Sequence, residues 1–227
     1  MSFSTLSSGP RDRTQVVRIA TVALIGIICF SAIIVVLHVL RSDDPVRQPT
    51  SAYAVGEHGY LMTSAFLSVS LASMALIVGL YRGVSDSARS QVGLGLLGIW
   101  AVGVLVAMIF PIDLEGAPRT TASIIHRVTG PIAFLSLSMG AILVSRRFKD
   151  DASWRPLHRV AVFLAVAMLA AFIVTGLNIA TDSGYMGIFQ RMVLVTFVTW
   201  FALVATRLLM LASASDDTAR VSRQGGR

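Results

Sequence analysis

VAVFLAVAMLAAFIVTGLNI, running from Val160 to Ile179, is twenty residues of chain without one charged side chain. A hydrocarbon core about 30 Å thick is crossed by about 20 helical residues, so this stretch alone is long enough to span a bilayer. It is continuously apolar, whereas a barrel strand alternates over about ten residues. In lipid a backbone must satisfy its own hydrogen bonds, and a helix does so within one segment. The stretch therefore reads as a transmembrane helix.

Five more runs of the same character lie around it, at about Val16–Leu40, Gly59–Tyr81, Val92–Phe110, Ile125–Ser145 and Ile188–Leu211. They explain a composition of 55% hydrophobic and 14% charged residues in a chain of 227, where a soluble domain carries about 25% charged. The fold class expected is all-α: a polytopic membrane protein, one six-transmembrane-helix bundle over residues 16–212. Residues 1–15 and 213–227 are rich in small, polar and charged residues and are expected as disordered tails, too poor in apolar surface to fold alone. The first run exceeds the 7–15 residues or so of a cleaved signal's apolar region and reads as an uncleaved anchor.

Orientation comes from the basic residues. With the N-terminus inside, the tails and the second and fourth loops hold 14 of them, and the first, third and fifth connections hold Arg41, Arg47, Arg119, Arg127 and Arg191. Positive charge stays on the cytoplasmic side, so both termini are expected inside. The net charge of +7 does not point to nucleic acid, because the arginines flank apolar runs and no groove-reading motif appears. Membrane lipids are the expected partners, with another membrane protein as a further option. Cys29 is the single cysteine and excludes an internal disulfide or a cysteine-rich zinc site.

Gly93-Leu94-Gly95-Leu96-Leu97-Gly98 spells G-x-G-x-x-G, but it lies inside an apolar helix with no preceding strand, as a dinucleotide fingerprint would need. It reads instead as close helix packing through small residues, continued by Gly103 and Ala107. Ser64, Ser68 and Ala72, and Ser136 and Gly140, make similar stripes.

The expected outer face collects the chemistry-bearing groups: His38, Glu57, His58, Asp113, Glu115, His126, Arg127, Asp182 and Arg191. Three readings compete there. Imidazole and carboxylate from His58, Asp113 and His126 suit zinc with an open position for water, and such a water attacks an ester or amide of a lipid headgroup. Paired histidines suit a b-type haem, though no two lie deep in separate spans at one depth. The third reading is a structural network, for example Asp113 with Arg127 or Arg191. A charge in a span is costly, so Arg191 is expected to face the bundle or the outer water with a carboxylate partner, and Asn178 to point inward. No ionisable residue sits at the midplane, which argues against a charge-coupled transporter.

Ser51-Ala52-Tyr53-Ala54-Val55-Gly56, Gly59-Tyr60-Leu61-Met62, Phe110-Pro111-Ile112-Asp113, His126 at the start of the next helix, and Gly187-Ile188-Phe189-Gln190-Arg191 with Trp200 together resemble the domain-of-unknown-function 998 family. These are small bacterial and archaeal integral membrane proteins, and the likeness covers about residues 17–210. The resemblance implies a six-helix bundle in the bacterial cytoplasmic membrane and singles out Phe110, Pro111, Asp113, His126 and Arg191. Pro111 ends the third helix, because it has no N–H to continue it. That sets Asp113 within reach of His126, a pair able to orient an imidazole. A more distant likeness is to membrane hydrolases that hold zinc through histidines and an aspartate, although this chain lacks two closely spaced histidines on one span.

The leading functional reading is a non-catalytic or accessory membrane protein with an outward-facing polar pocket lined by Glu57, Phe110, Pro111, Arg127, Asn178, Asp182 and Arg191. The alternative is a metal-dependent hydrolase of lipids or headgroups, with Asp113 and His126 catalytic and His58, Asp113 and His126 as zinc ligands.

Overall fold

The computed structural model describes residues 10–113 and 116–224, with side chains over 14–113 and 116–214. It contains six long helices: α1 (Pro10–Leu40), α2 (Gly59–Gly83), α3 (Gln91–Ile109), α4 (Thr121–Arg147), α5 (His158–Ala180) and α6 (Met186–Gln224). All six are long and apolar enough to cross a membrane, and no strand occurs among the described residues. Helix α1 starts at Pro10 and α6 continues to Gln224, so 10–15 and 213–224, expected as disordered tails, are helical. The remainder of both tails lies outside the described residues.

Each helix packs on its neighbours in sequence, and α1 also packs on α6. The helices thus form a closed ring. The start of α1 and the end of α6 share one end; the connections α1–α2, α3–α4 and α5–α6 share the other, called here the distal end. Large apolar side chains such as Phe163, at 70% exposure, and Val195, at 65%, point away from the bundle. That is a lipid-facing surface, since water would not tolerate an apolar belt of this extent.

The small residues divide by position. A Cβ at Gly93 would lie 3.1 Å from the Gly140 carbonyl, and one at Gly103 2.7 Å from Ala133 Cβ, so these glycines let α3 and α4 touch. Gly26 plays the same part between α1 and α2, facing Ala72 and accepting a bond from Ser68 Oγ. Gly95 and Gly98 meet nothing within 4 Å. The expected packing role of the G-x-G-x-x-G run thus holds for its first glycine alone, because its other two glycines lie on faces that no neighbour approaches.

The middle of the ring is filled by aromatic rings. Trp100 lies 5.2 Å from both Phe134 and Phe197, and Phe197 lies 6.5 Å from Phe30. Trp100 Nε1 donates to Ser73 Oγ at 3.1 Å, which satisfies its one polar atom in the core. Towards the termini, Trp154 stacks on Phe148 and donates to the Gly83 carbonyl, and Trp200 donates to Ser145 Oγ.

Candidate functional site

The distal end is closed by the α1–α2 connection, residues 41–58, folded back on the start of α6. Arg41 begins it. Its Nε donates to Asp43 Oδ2 at 2.6 Å and its Nη2 to Asp43 Oδ1 at 3.2 Å, while Nη1 donates to both the Val55 and the Glu57 carbonyls. This hydrogen bond, with the guanidinium charge behind it, holds the Asp43 carboxyl below the usual carboxylate range. A short 3-10 helix follows at Thr50–Ala54 and buries Tyr53. Gly56, at φ 83°, and His58, at φ 62°, then turn the chain into α2.

Helix α6 holds this loop with its first turns. A Cβ on Gly187 would lie 2.5–2.8 Å from the carbonyl oxygens of Pro45, Gln48 and Val46, so only glycine permits the approach. Ile188 N donates to the Val46 carbonyl, and Gln190 Oε1 accepts from Thr50 N and Oγ1. Arg191 makes five hydrogen bonds: Nε to His38 Nε2 at 2.8 Å, Nη1 to the Pro45, Gln48 and Gly187 carbonyls, and Nη2 to Tyr53 Oη at 3.0 Å. A guanidinium only donates, so His38 Nε2 is the bare nitrogen and Nδ1–H donates to the Ile34 carbonyl. The expected carboxylate partner of Arg191 is therefore corrected. Carbonyl dipoles, a phenol and an imidazole solvate the charge, because the folded loop brings the Pro45 and Gln48 carbonyls to it and α6 adds that of Gly187.

The α3–α4 connection is tied separately. Asp113 accepts from Thr120 N at 2.8 Å and from Thr120 Oγ1 at 2.7 Å, and Thr120 Oγ1 in turn caps α4 by accepting from Ser123 N. The bonds from Thr120 lower the Asp113 pKa. His126 Nδ1 bonds the Phe110 carbonyl at 2.9 Å, the group that Pro111 leaves at the end of α3. The Asp113–His126 pair expected from sequence is thus absent. Each residue closes the same corner through a different partner.

Nor are the three expected zinc ligands gathered. His58 lies 3.7 Å from Glu57 and packs on Tyr60 at the start of α2, away from the Asp113 corner. Among the described residues, no three His, Cys, Asp or Glu side chains stand close enough to share a metal ion. Asn178 is corrected too. It donates back to the Val174 carbonyl and meets Ser183 Oγ, finishing α5 instead of facing the interior. Asp182 is exposed. Asp113 bonds neither Arg127 nor Arg191 among the described residues; Arg127 Nε donates to Ser123 Oγ.

What the helices do enclose is a cavity of about 310 Å³ beneath the α1–α2 loop. Its floor is Phe30, Phe66, Trp100 and Phe134, and its walls are apolar residues of all six helices. Polar groups occur at the rim: Thr50 and Ser51 from the loop, His126 and Arg127 from α4, Thr175 from α5 and Gln190 from α6. Gly130 and Pro131 make the α4 wall. A Cβ on Gly130 meets nothing within 4 Å, and Pro131 has no N–H for the Arg127 carbonyl. Of the residues expected to line a polar pocket, Arg127 lines this one; Glu57, Phe110, Pro111, Asn178, Asp182 and Arg191 do not. Reading the sequence for charge missed the walls. The signal available was Gly130-Pro131 in mid-span, a break in helix packing without a loop.

The family model for the protein of unknown function DUF998 matches residues 24–207. The chain belongs to the DUF998 family. In this family member the matched region runs from α1 through the α6 segment that carries Gly187, Gln190 and Arg191. No curated protein and no solved structure matches the chain.

Proposed function

We propose that this protein is a non-catalytic membrane protein that holds the apolar chain of a membrane amphiphile inside its helical ring. The observation that carries this reading is the cavity: about 310 Å³, walled by apolar residues of all six helices, with aromatic rings below and polar groups at its rim. Ligand sites of this type are mostly apolar with a few placed polar groups and start at about 300 Å³. The Arg191 assembly fixes the α1–α2 loop over that rim. The basic residues favour an orientation with both termini in the cytoplasm and the cavity in the outer leaflet of a bacterial cytoplasmic membrane.

The test is occupancy. Protein in nanodiscs, examined by native mass spectrometry, should retain a single-chain amphiphile, and Gly130→Leu should release it by filling the space with a side chain. Retention by Gly130→Leu at the wild-type level would remove the cavity reading. Reporter fusions in the 112–124 loop should report a periplasmic position; a cytoplasmic signal there reverses the orientation.

A further inference from the structure

We infer that the occupant is a single-chain amphiphile with an anionic oxygen headgroup, carboxylate or phosphate, bound at the headgroup by Arg127; this rests on the cavity reading above. The volume restricts the tail. At about 310 Å³ the cavity lies at the small end of the range for ligand sites, about 300–1,000 Å³. That fits one chain of medium length and falls well short of two full acyl chains.

Charge restricts the head. The lining residues include one arginine and one histidine and no aspartate or glutamate. Arg127 stands at the rim, in the second turn of α4, and is exposed. Its Nε donates to Ser123 Oγ at 3.3 Å, and among the described residues its two terminal nitrogens have neither a hydrogen bond nor an ion pair. Asp113, which feels the charge of Arg127, is already bonded twice by Thr120. Arg191 differs, since all its nitrogens are engaged. Of the two arginines at this end of α4 and α6, Arg127 alone presents an open pair of donors. A guanidinium edge matches a carboxylate or phosphate with two parallel bonds. His126, beside it, is committed to the Phe110 carbonyl through Nδ1.

The arrangement separates the two parts of the ligand. The tail lies among Trp100, Phe134 and Val193 and gains the transfer energy of leaving water. The head stays at the rim, where the charge remains hydrated and pairs with Arg127. A neutral head of the same chain length gains the tail term alone.

The experiment is calorimetric titration of the full-length protein in phosphatidylcholine nanodiscs with decanoate, decyl phosphate and decanol, corrected for partition into empty discs. Wild type should bind at least one of the two anions saturably, one per chain, and decanol about tenfold or more weakly, the equivalent of one charge-assisted bond. Decanoate against decyl phosphate identifies which headgroup is preferred. Arg127→Gln should weaken anion binding about tenfold and leave decanol within about twofold, whereas Arg127→Lys should retain part of the preference. Gly130→Leu should abolish binding of all three, with the thermal unfolding of every variant checked first. Equal binding of anions and decanol, or anion binding unchanged in Arg127→Gln, overturns the headgroup inference while leaving the cavity reading intact. Unchanged anion binding in Gly130→Leu, or no saturable binding of any probe, overturns the cavity reading and this inference with it.

Discussion

Replacing Gly187 by alanine adds one methyl group, yet it should undo the attachment of the α1–α2 loop. The new Cβ would lie 2.5 Å from the Pro45 carbonyl oxygen, 2.6 Å from that of Gln48 and 2.8 Å from that of Val46. Even close carbon–oxygen contacts are about 3.3–3.6 Å, so the loop must retreat by roughly 0.5–1 Å. Three hydrogen bonds span that gap: Ile188 N to Val46 at 3.3 Å, and Arg191 Nη1 to Pro45 and Gln48 at 2.8 Å each. After such a retreat they pass the limit of useful geometry. A neutral bond contributes about 1 kcal/mol and a charged one about 1.5–3. Water at the distal surface replaces part of the loss, and removing a glycine from the unfolded chain returns about 0.4–1 kcal/mol. The net destabilisation should be about 2–3 kcal/mol. The assay is denaturation in mixed micelles followed by tryptophan fluorescence. Gly98→Ala is the internal control, because its Cβ meets nothing within 4 Å in the interior of α3, and it should stabilise by about 0.5–1 kcal/mol. The two substitutions therefore have opposite signs. If Gly187→Ala is as stable as Gly98→Ala, the loop is not docked on α6 and the closed distal end is refuted.

Arg191→Lys should destabilise by about 2–3 kcal/mol in the same assay, since one ammonium cannot reproduce five bonds spread over a planar fork; wild-type stability would show that charge alone suffices. The Arg41–Asp43 pair, with 12% and 13% side-chain exposure, should give an acid limb. A carboxyl held below its ordinary value of 3.8 contributes stability that is complete above that value and lost as pH falls through the folded pKa. Asp43→Asn should lower stability at neutral pH by about 1–3 kcal/mol and flatten the curve below about pH 4, and an unchanged acid limb would contradict the pairing. Thr120→Ala should cost about 0.5–2 kcal/mol through loss of the α4 cap, and hydrogen exchange should rise over 121–124; protection equal to wild type would deny the cap its role.

Much of the distal end was visible in the sequence as a set of unusual residues, but not as a set of partners. Tyr53, Gly187, Gln190 and Arg191 stand out in apolar surroundings, and all four hold the same loop. The expectation of a carboxylate for Arg191 failed because three backbone carbonyls carry no signature in an amino-acid sequence. The Asp113–His126 pair failed for a related reason. Closeness along the chain left both free to choose, and Thr120 and the Phe110 carbonyl lay nearer in the folded corner. The cavity was missed because its walls are ordinary apolar residues, indistinguishable one by one from those facing lipid.

Six helices followed from composition alone, since lipid forces each apolar run to satisfy its own backbone and run length sets the number of crossings. Those are local properties, decided within about twenty residues. Whether Arg191 meets His38, whether Gly130 borders a wall or open space, and whether His58 comes near Asp113 depend on how α1 closes the ring against α6 and how α4 packs beside α3 and α5. Such distances join residues up to 153 positions apart. They arise from side-chain packing summed over the whole ring, which no single stretch of sequence contains.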